Sequence, residues 1–257
     1  MVRRFFGMPV HASRAHASSW HDPSKALVML PSSMFDWWFA PWLYAVDTDL
    51  RLPLAQDRFA QRDGYRLWCA KAGIEPDFPA HFHAAWSIAI TSNIVELMAT
   101  ARLFAGLMAA REHDQLSLGM LSLDDRKWCH SVAATQPLLS CPHATYDLDD
   151  GIEVRGLVEL ARRLQSGFPG LWSRLQLMLS RDLAARVASQ LEHVNIVPAV
   201  PDAALLRAQR CWRLCQARVN SLRLDARANP LVPASPRYPQ RDAHALDRTA
   251  MVTRVTQ

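Results

Sequence analysis

The apolar residues of this chain recur every three or four positions over long stretches, which predicts a protein built from α-helices. The clearest repeat follows Asn93, whose spacing from Glu96 matches a helix capping box. The apolar positions of this repeat are Ile94, Leu97, Met98, Ala101, Phe104, Ala105 and Met108. Their spacing predicts a buried helix.

Capping and turn residues place the other helices. We expect helices over about 56–72, ending at Gly73; from Pro79 to a break at 91–93; from Ser122 to before Pro137; and from Asp150 to about Ser166, ending at Gly167. After Pro169 the pattern fits either one long helix or two helices joined near Ser180. The last helix is predicted over 202–228. Its apolar face is Leu205, Ala208, Trp212, Cys215, Val219, Leu222 and Ala226, and its opposite face is Arg207, Arg210, Arg213, Arg218 and Arg227.

The stretch "SSMFDWWFAPWLY", at Ser32–Tyr44, concentrates aromatic residues around Pro41. Asp36 is a candidate helix cap, and Pro41 is expected to separate two short helical pieces. Such a segment is a membrane-interface anchor, a part of the core or a docking surface. The nearest charges are acidic and would be repelled by anionic lipid, which excludes the anchor. The core and the docking surface stay open.

The composition agrees with one all-α domain. Half of the 257 residues are apolar, enough to bury a core, and Ala, Leu and Arg are favourable in helices. We predict a disordered leader over 1–25, a single irregular multi-helix domain over 26–200, a basic amphipathic helix over 201–228 and a proline-rich disordered tail over 229–257. The longest apolar stretch, Leu97–Ala110, is too short to span a bilayer.

The positive charge is confined to the C-terminal fifth of the chain. Residues 1–200 hold 19 Lys and Arg against 20 Asp and Glu, whereas residues 201–257 hold 10 Arg against 4 Asp. The arginine face of the last helix is either a solvated outer face or a surface for nucleic acid or anionic lipid. It lacks interleaved aromatic residues, so base stacking is not expected.

No catalytic constellation is apparent. The five cysteines are unpaired in spacing, which favours a reduced, cytosolic protein. Cys211 and Cys215 fall on the apolar face of the last helix and are interpreted as core thiols. Cys129, His130, Cys141 and His143 offer zinc ligands, but their spacing matches no known ligand pattern. We therefore expect no enzyme activity, no metal and no cofactor.

Three stretches carry a family likeness: Leu30–Leu43, Glu96–Ala133 and Glu153–Ala184. The first is proline-led and aromatic. The second has a small residue in its helix, Gly106, then a glycine turn at Gly119 and a helix bearing Arg126. The third has a helix that starts at a glycine, then a proline-led helix and an Arg–Leu pair, here Arg174 and Leu175. In this order they resemble the K-type sorting-platform adaptor family of bacterial type III secretion systems.

The resemblance implies a non-enzymatic cytoplasmic adaptor, held at the inner membrane through protein contacts. Such adaptors link the cytoplasmic domains of the inner-membrane ring to the pod protein and support effector secretion. Because Trp and Arg are enriched among interface hot spots, the candidate partner-binding residues are Trp37, Trp38, Trp42, Arg174, Arg207 and Arg210. The alternative is a nucleic-acid-binding regulator that uses the 207–227 helix. A zinc-dependent enzyme is a weaker third hypothesis.

Overall fold

The computed structural model describes residues 30–46, 58–91, 93–141, 150–192 and 202–228. Over these residues it contains helices and no strand, which confirms the all-α prediction. The α-helices are α1 (Ser32–Phe39), α2 (Arg58–Ala72), α3 (Ile94–Glu112), α4 (Gln115–Gly119), α5 (Leu123–Thr135), α6 (Ile152–Gly167), α7 (Leu171–Leu175), α8 (Arg181–Glu192) and α9 (Asp202–Ala228). Short 3₁₀ helices occupy Pro41–Leu43, Ala84–Ala89 and Gln176–Met178. The predicted leader over 1–25 and tail over 229–257 lie outside the described residues.

The main core forms where α3 and α6 cross. The apolar positions predicted for α3 are buried or packed against this core. On α6 the buried apolar residues recur every three or four positions, at Val154, Leu157, Val158, Ala161 and Leu164. The two backbones approach so closely that a Cβ atom at Gly156 would lie 1.9 Å from the carbonyl oxygen of Ala101. A second close approach places Trp86 against Gly167, where a Cβ atom would lie 2.6 Å from the indole nitrogen. Glycine is required at these crossings because no side chain fits there.

Several predicted boundaries are confirmed. Asn93 caps α3 by accepting a hydrogen bond from the Val95 amide, and Ser122 caps α5 by accepting one from Asp125. Pro41 begins a separate 3₁₀ helix after α1. Gly73 follows the last residue of α2 at a φ of 68°, a left-handed conformation that favours glycine. The segment after Pro169 forms two α-helices, α7 and α8, rather than one.

Three other predicted features are wrong. Pro79 does not begin a helix, because the backbone amide of His83 is bound to the carbonyl of Gly167 (2.8 Å) and only residues 84–89 form a 3₁₀ turn. Asp150 does not cap α6, because its carboxylate instead accepts a hydrogen bond from the side chain of Gln190. Asp36 lies inside α1 and does not cap it.

Helix α9 is packed into the fold through its first part. Leu205, Ala208, Trp212, Cys215 and Val219 are buried as predicted, and the Trp212 ring meets Phe104 edge-on with centroids 5.2 Å apart. The chain divides into two compact units, Met1–Val219 and Asn220–Gln257. In the second unit the structure describes only the end of α9, where Leu222 is exposed. The boundary predicted at residue 200 stays a prediction.

Within the described ranges, no helix combines the length and the apolar character that a membrane span requires.

Candidate functional site

The aromatic stretch that opens the described chain is mostly interior. Trp38 is completely buried, and Trp37 stacks on Tyr44 with ring centroids 4.6 Å apart and planes 7° apart. Trp38 also contacts the rings of Phe78 and Phe168, at 4.8 and 5.8 Å. Two of the three tryptophans predicted to bind a partner therefore fill the core instead of presenting a surface. A large ring contributes most to stability when it is removed from water, which explains this placement.

Trp42, the third of these tryptophans, is only partly buried. Its ring meets Trp68 edge-on at 6.1 Å and Tyr65 at 6.3 Å, so it closes a second, smaller core that contains Ala45, Trp68, Cys69 and Ile74. The ring is half-buried, so one side of it reaches the surface. Among the predicted aromatic partner-binding residues, Trp42 is the one that solvent reaches appreciably.

The residues next to Trp42 in the sequence include three exposed apolar side chains. Phe39 is 42% exposed, Leu43 77% and Val46 53%. Phe39 shares the Tyr65 ring with Trp42, at a centroid distance of 5.6 Å. We call Phe39, Trp42, Leu43 and Val46 the aromatic edge. Large apolar groups exposed within one short segment are candidates for an interaction site.

Arg174 holds the framework beneath the aromatic edge, and it is completely buried. Its guanidinium lies 3.6 Å from the centroid of the Trp38 ring, close enough for a cation–π contact. Its Nε donates to the Trp38 carbonyl (3.3 Å), and its Nη2 donates to the Tyr65 hydroxyl (3.0 Å) and the Glu75 carbonyl (2.8 Å). The prediction that Arg174 contacts a partner directly is therefore replaced by an internal role: it joins α7 to α1, to α2 and to the turn after α2.

The electrostatics of Arg174 are unusual for a buried arginine. Among the described residues it forms no ion pair with a carboxylate, and its hydrogen-bond acceptors are carbonyls and one hydroxyl. That hydroxyl belongs to Tyr65, which in turn donates to the Pro76 carbonyl (2.6 Å). Burial raises the pKa of Tyr65 to about 12, although the positive charge of Arg174 acts in the opposite direction. Tyr65 therefore stays a neutral donor and acceptor at physiological pH.

Gly170 sets the direction of α7 and so places Arg174. Its φ of 80° is left-handed, and a Cβ atom there would lie 3.2 Å from the Trp38 ring. Any larger residue would strain the turn and press on the ring beneath the aromatic edge. The sequence pattern predicted a helix after Pro169 but gave no sign that Gly170 and Tyr65 belong to this site, because their contacts join distant parts of the chain.

The arginines of α9 occupy a different surface. Arg207 and Arg210 are exposed, as is Arg213, whereas Arg218 is half-buried and lies 4.0 Å from Asp125. Arg207, Arg210 and Arg213 of the predicted arginine face are therefore exposed, whereas the side chain of Arg227 lies outside the described part of the chain. The structure does not bring these arginines together with Trp37, Trp38 or Arg174 in one site.

Helix α6 carries a buried ionic network that was not predicted from the sequence. Arg155 donates to Glu112 (2.6 Å) and Asp114 (2.7 Å), and also to the hydroxyls of Ser117 and Ser140 (both 3.0 Å). Glu159 is fully buried, pairs with Arg163 and accepts the backbone amide hydrogen of Cys141. Arg155 and Arg163 each pair with a carboxylate of the protein, which indicates that the network holds the α3–α4 turn and residues 138–141 against α6. The apolar period of α6 did not reveal these charges.

Of the residues considered as zinc ligands, the three that the structure describes do not form a metal site. Cys129 is buried, with its thiol 3.8 Å from the Leu103 carbonyl, whereas His130 is exposed on the same helix. Cys141 is buried beside Glu159, and His143 lies outside the described residues. Across the described part of the chain, no three His, Cys, Asp or Glu side chains form a group suited to a metal ion.

Burial should make the cysteine thiols unreactive in the native protein. All five cysteines are buried, and burial raises the pKa of Cys129 to about 12 and that of Cys141 and Cys211 to about 11. Because the thiolate is the reactive form, we expect no rapid reaction of native protein with a thiol-specific chromogenic reagent, and reaction of all five thiols in denaturant. One fast-reacting thiol in the native protein would contradict this burial.

The chain was compared with protein-family models, curated proteins and solved structures, and none of the three comparisons gives a match.

Proposed function

We propose that this protein is a non-enzymatic adaptor that holds other proteins together, and that it acts as a K-type adaptor in the cytoplasmic sorting platform of a type III secretion system. The observation that carries the proposal is the aromatic edge. It consists of apolar side chains on the surface, next to residues that the buried Arg174 holds in place. In this role the protein links the inner-membrane ring to the pod protein and supports effector secretion.

The aromatic edge supports docking because its exposure is concentrated. Leu43 and Val46 lie close in sequence to rings that are fully or half buried, so the backbone that presents them is anchored. A rigid, pre-positioned apolar surface loses little conformational entropy when a partner binds. Binding of a second protein would also remove this apolar area from water, which is favourable.

The family resemblance supports the identity of the partners. Its three stretches, Leu30–Leu43, Glu96–Ala133 and Glu153–Ala184, fall on α1, on α3 to α5 and on α6 to α8. These elements supply most of the main core. An adaptor of this family works at the cytoplasmic side of the inner membrane through protein contacts, and we propose the same location here.

We propose that the protein has no enzyme activity because its buried thiols are protonated and its buried carboxylate is already bound within the fold. The buried thiols have raised pKa values and are protonated at neutral pH, which makes them weak nucleophiles. The buried carboxylate of Glu159 is engaged by Arg163 and by the Cys141 amide. These groups stabilise the fold and do not face a substrate.

The test replaces an exposed residue of the aromatic edge. We expect Leu43→Ser to weaken binding of purified pod protein or of the ring's cytoplasmic domain about tenfold, because the loss of an apolar contact in the interface should cost about 1.4 kcal/mol. Isothermal titration calorimetry measures the affinity, and effector secretion from a complemented deletion strain measures the function. Leu43 is suited to this test because substitution of the buried Trp37 would disturb the fold.

The matched control is Leu116→Ser on α4, which changes a similarly exposed leucine outside the aromatic edge. Both variants should keep the far-ultraviolet circular dichroism of the parent protein. The proposal fails if the parent protein binds neither secretion component, or if a clean deletion strain secretes normally.

A further inference from the structure

The outward face of α9 carries a second surface that the adaptor proposal does not use. Leu206, Arg207, Arg210, Arg213 and Leu214 are all exposed there, and we call these five residues the arginine stripe. The opposite face of the helix is buried in the core through residues such as Trp212 and Cys215. The orientation of the stripe is therefore fixed.

Hydrogen bonds along one flank fix the helix further. Gln209 donates to the Ala85 carbonyl (3.0 Å), and Gln216 donates to the Ile88 carbonyl (2.8 Å). These contacts bind two turns of α9 to the 3₁₀ helix Ala84–Ala89. The stripe is consequently a rigid feature of the folded unit and differs from an arginine-rich tail.

The charges of the stripe are not neutralised within the described structure. Arg210 and Arg213 form no ion pair among the described residues, and Arg207 donates only to the Pro137 carbonyl (3.3 Å). The three guanidinium groups arise from positions spread over about 9 Å of helix axis. Two buried arginines of α6 behave differently, since Arg155 and Arg163 each pair with a carboxylate. An external acidic group is the natural counterpart of the stripe.

The two exposed leucines of the arginine stripe indicate which class of acidic partner can bind there. Leu206 is 43% exposed and Leu214 40%, and they lie two helical turns, or about 12 Å, apart on the same side as the arginines. A nucleic-acid backbone or a polyphosphate presents no apolar groups to such side chains. A helix with acidic residues one turn apart and leucines or similar residues between them matches both the charges and the apolar contacts.

We propose that the arginine stripe docks an acidic amphipathic α-helix of a partner protein. The interaction combines ion pairs to Arg207, Arg210 and Arg213 with apolar contacts to the two leucines. Because the stripe and the aromatic edge are separate surfaces, the proposal does not depend on the adaptor function. If both are correct, one molecule holds two proteins at the same time.

The test uses the full chain and synthetic peptides, with binding followed by fluorescence anisotropy at two salt concentrations. The probe is a helical peptide with glutamates one turn apart and leucines between them. We expect it to bind, and we expect R210E with R213E to weaken binding at least about tenfold, because like charges then oppose each other. L206S with L214S should weaken binding as well. The matched control is R62E with R66E on α2, which should leave binding unchanged.

Two further probes separate the proposal from its competitors. If single-stranded RNA binds in place of the peptide, and loses affinity with R210E and R213E but not with L206S and L214S, the stripe is a nucleic-acid surface and the proposal is overturned. Recruitment to vesicles of anionic phospholipid in place of the peptide, or no binding to any probe, also overturns it. Charge reversal is preferable to truncation at residue 200, because removing α9 would remove Trp212 from the core.

Discussion

The variant Gly156→Ala is expected to lose about 3 kcal/mol of unfolding free energy or more, since it forces a methyl group into a closed backbone contact. The added Cβ atom would lie 1.9 Å from the oxygen, 2.5 Å from the carbonyl carbon and 3.0 Å from the Cα of Ala101. The obstacle is backbone of α3 and not a mobile side chain, so relief requires α3 and α6 to move apart. That movement would disturb most of the main core. Urea unfolding followed by circular dichroism measures the loss.

Gly64→Ala is the matched control for this prediction. Gly64 lies within α2, and a Cβ atom there would meet nothing within 4 Å. Because alanine is favoured over glycine in a helix interior, this variant should gain up to about 1 kcal/mol. Equal stability of Gly156→Ala and the parent protein would show that the two helices are not in backbone contact at this point.

The variant Arg174→Met is expected to lose about 3 kcal/mol, even though it removes a buried charge and preserves most of the side-chain volume. Methionine leaves the carbonyls of Trp38 and Glu75 and the hydroxyl of Tyr65 without the donor that they share. Leaving buried polar groups unpaired costs more than the average hydrogen bond contributes. Arg174→Lys should also be less stable, because one ammonium group cannot reach acceptors on three elements while covering the Trp38 ring.

The control for Arg174 is Arg62→Met, an exposed arginine on α2, for which we expect a change within about 0.5 kcal/mol. Thermal and urea unfolding of the three variants give the comparison. A methionine variant as stable as the parent protein would mean that the cost of burying the charge outweighs the hydrogen bonds, and that Arg174 does not stabilise the framework of the aromatic edge.

Helix positions were predictable from the sequence where local signals agree. Asn93, Ser122 and Gly73 each act within a few residues of their own position, so capping and turn preferences identify them. The predictions were wrong where a residue distant in sequence binds a group that was expected to form a local contact. The position of Asp150 at the start of the helical pattern predicts a helix cap, but the side chain of Gln190 on α8 binds its carboxylate. The residues after Pro79 have a helical pattern, but Gly167 binds the amide of His83.

The site was predicted in part. The aromatic stretch and the arginine face were both visible in the sequence, but residue type did not reveal which members are exposed. Trp38 and Arg174 have the composition of an interface hot spot, yet they pack against each other inside the fold. Leu43 and Phe39, which form much of the accessible surface, carry no special sequence signal. Burial depends on contacts between α1, α2 and α7, which are separated by up to 136 residues in the hydrogen bond from Arg174 to Trp38.

The protection of the native thiols makes the molecule convenient for spectroscopic labelling. Because all five cysteines are interior and Leu43 is largely exposed, Leu43→Cys would create one readily accessible attachment point for a dye or spin label. The native cysteines would not need to be removed first, so the core would stay as it is. The probe would sit on the aromatic edge, where a change in its environment would report the arrival of a partner directly.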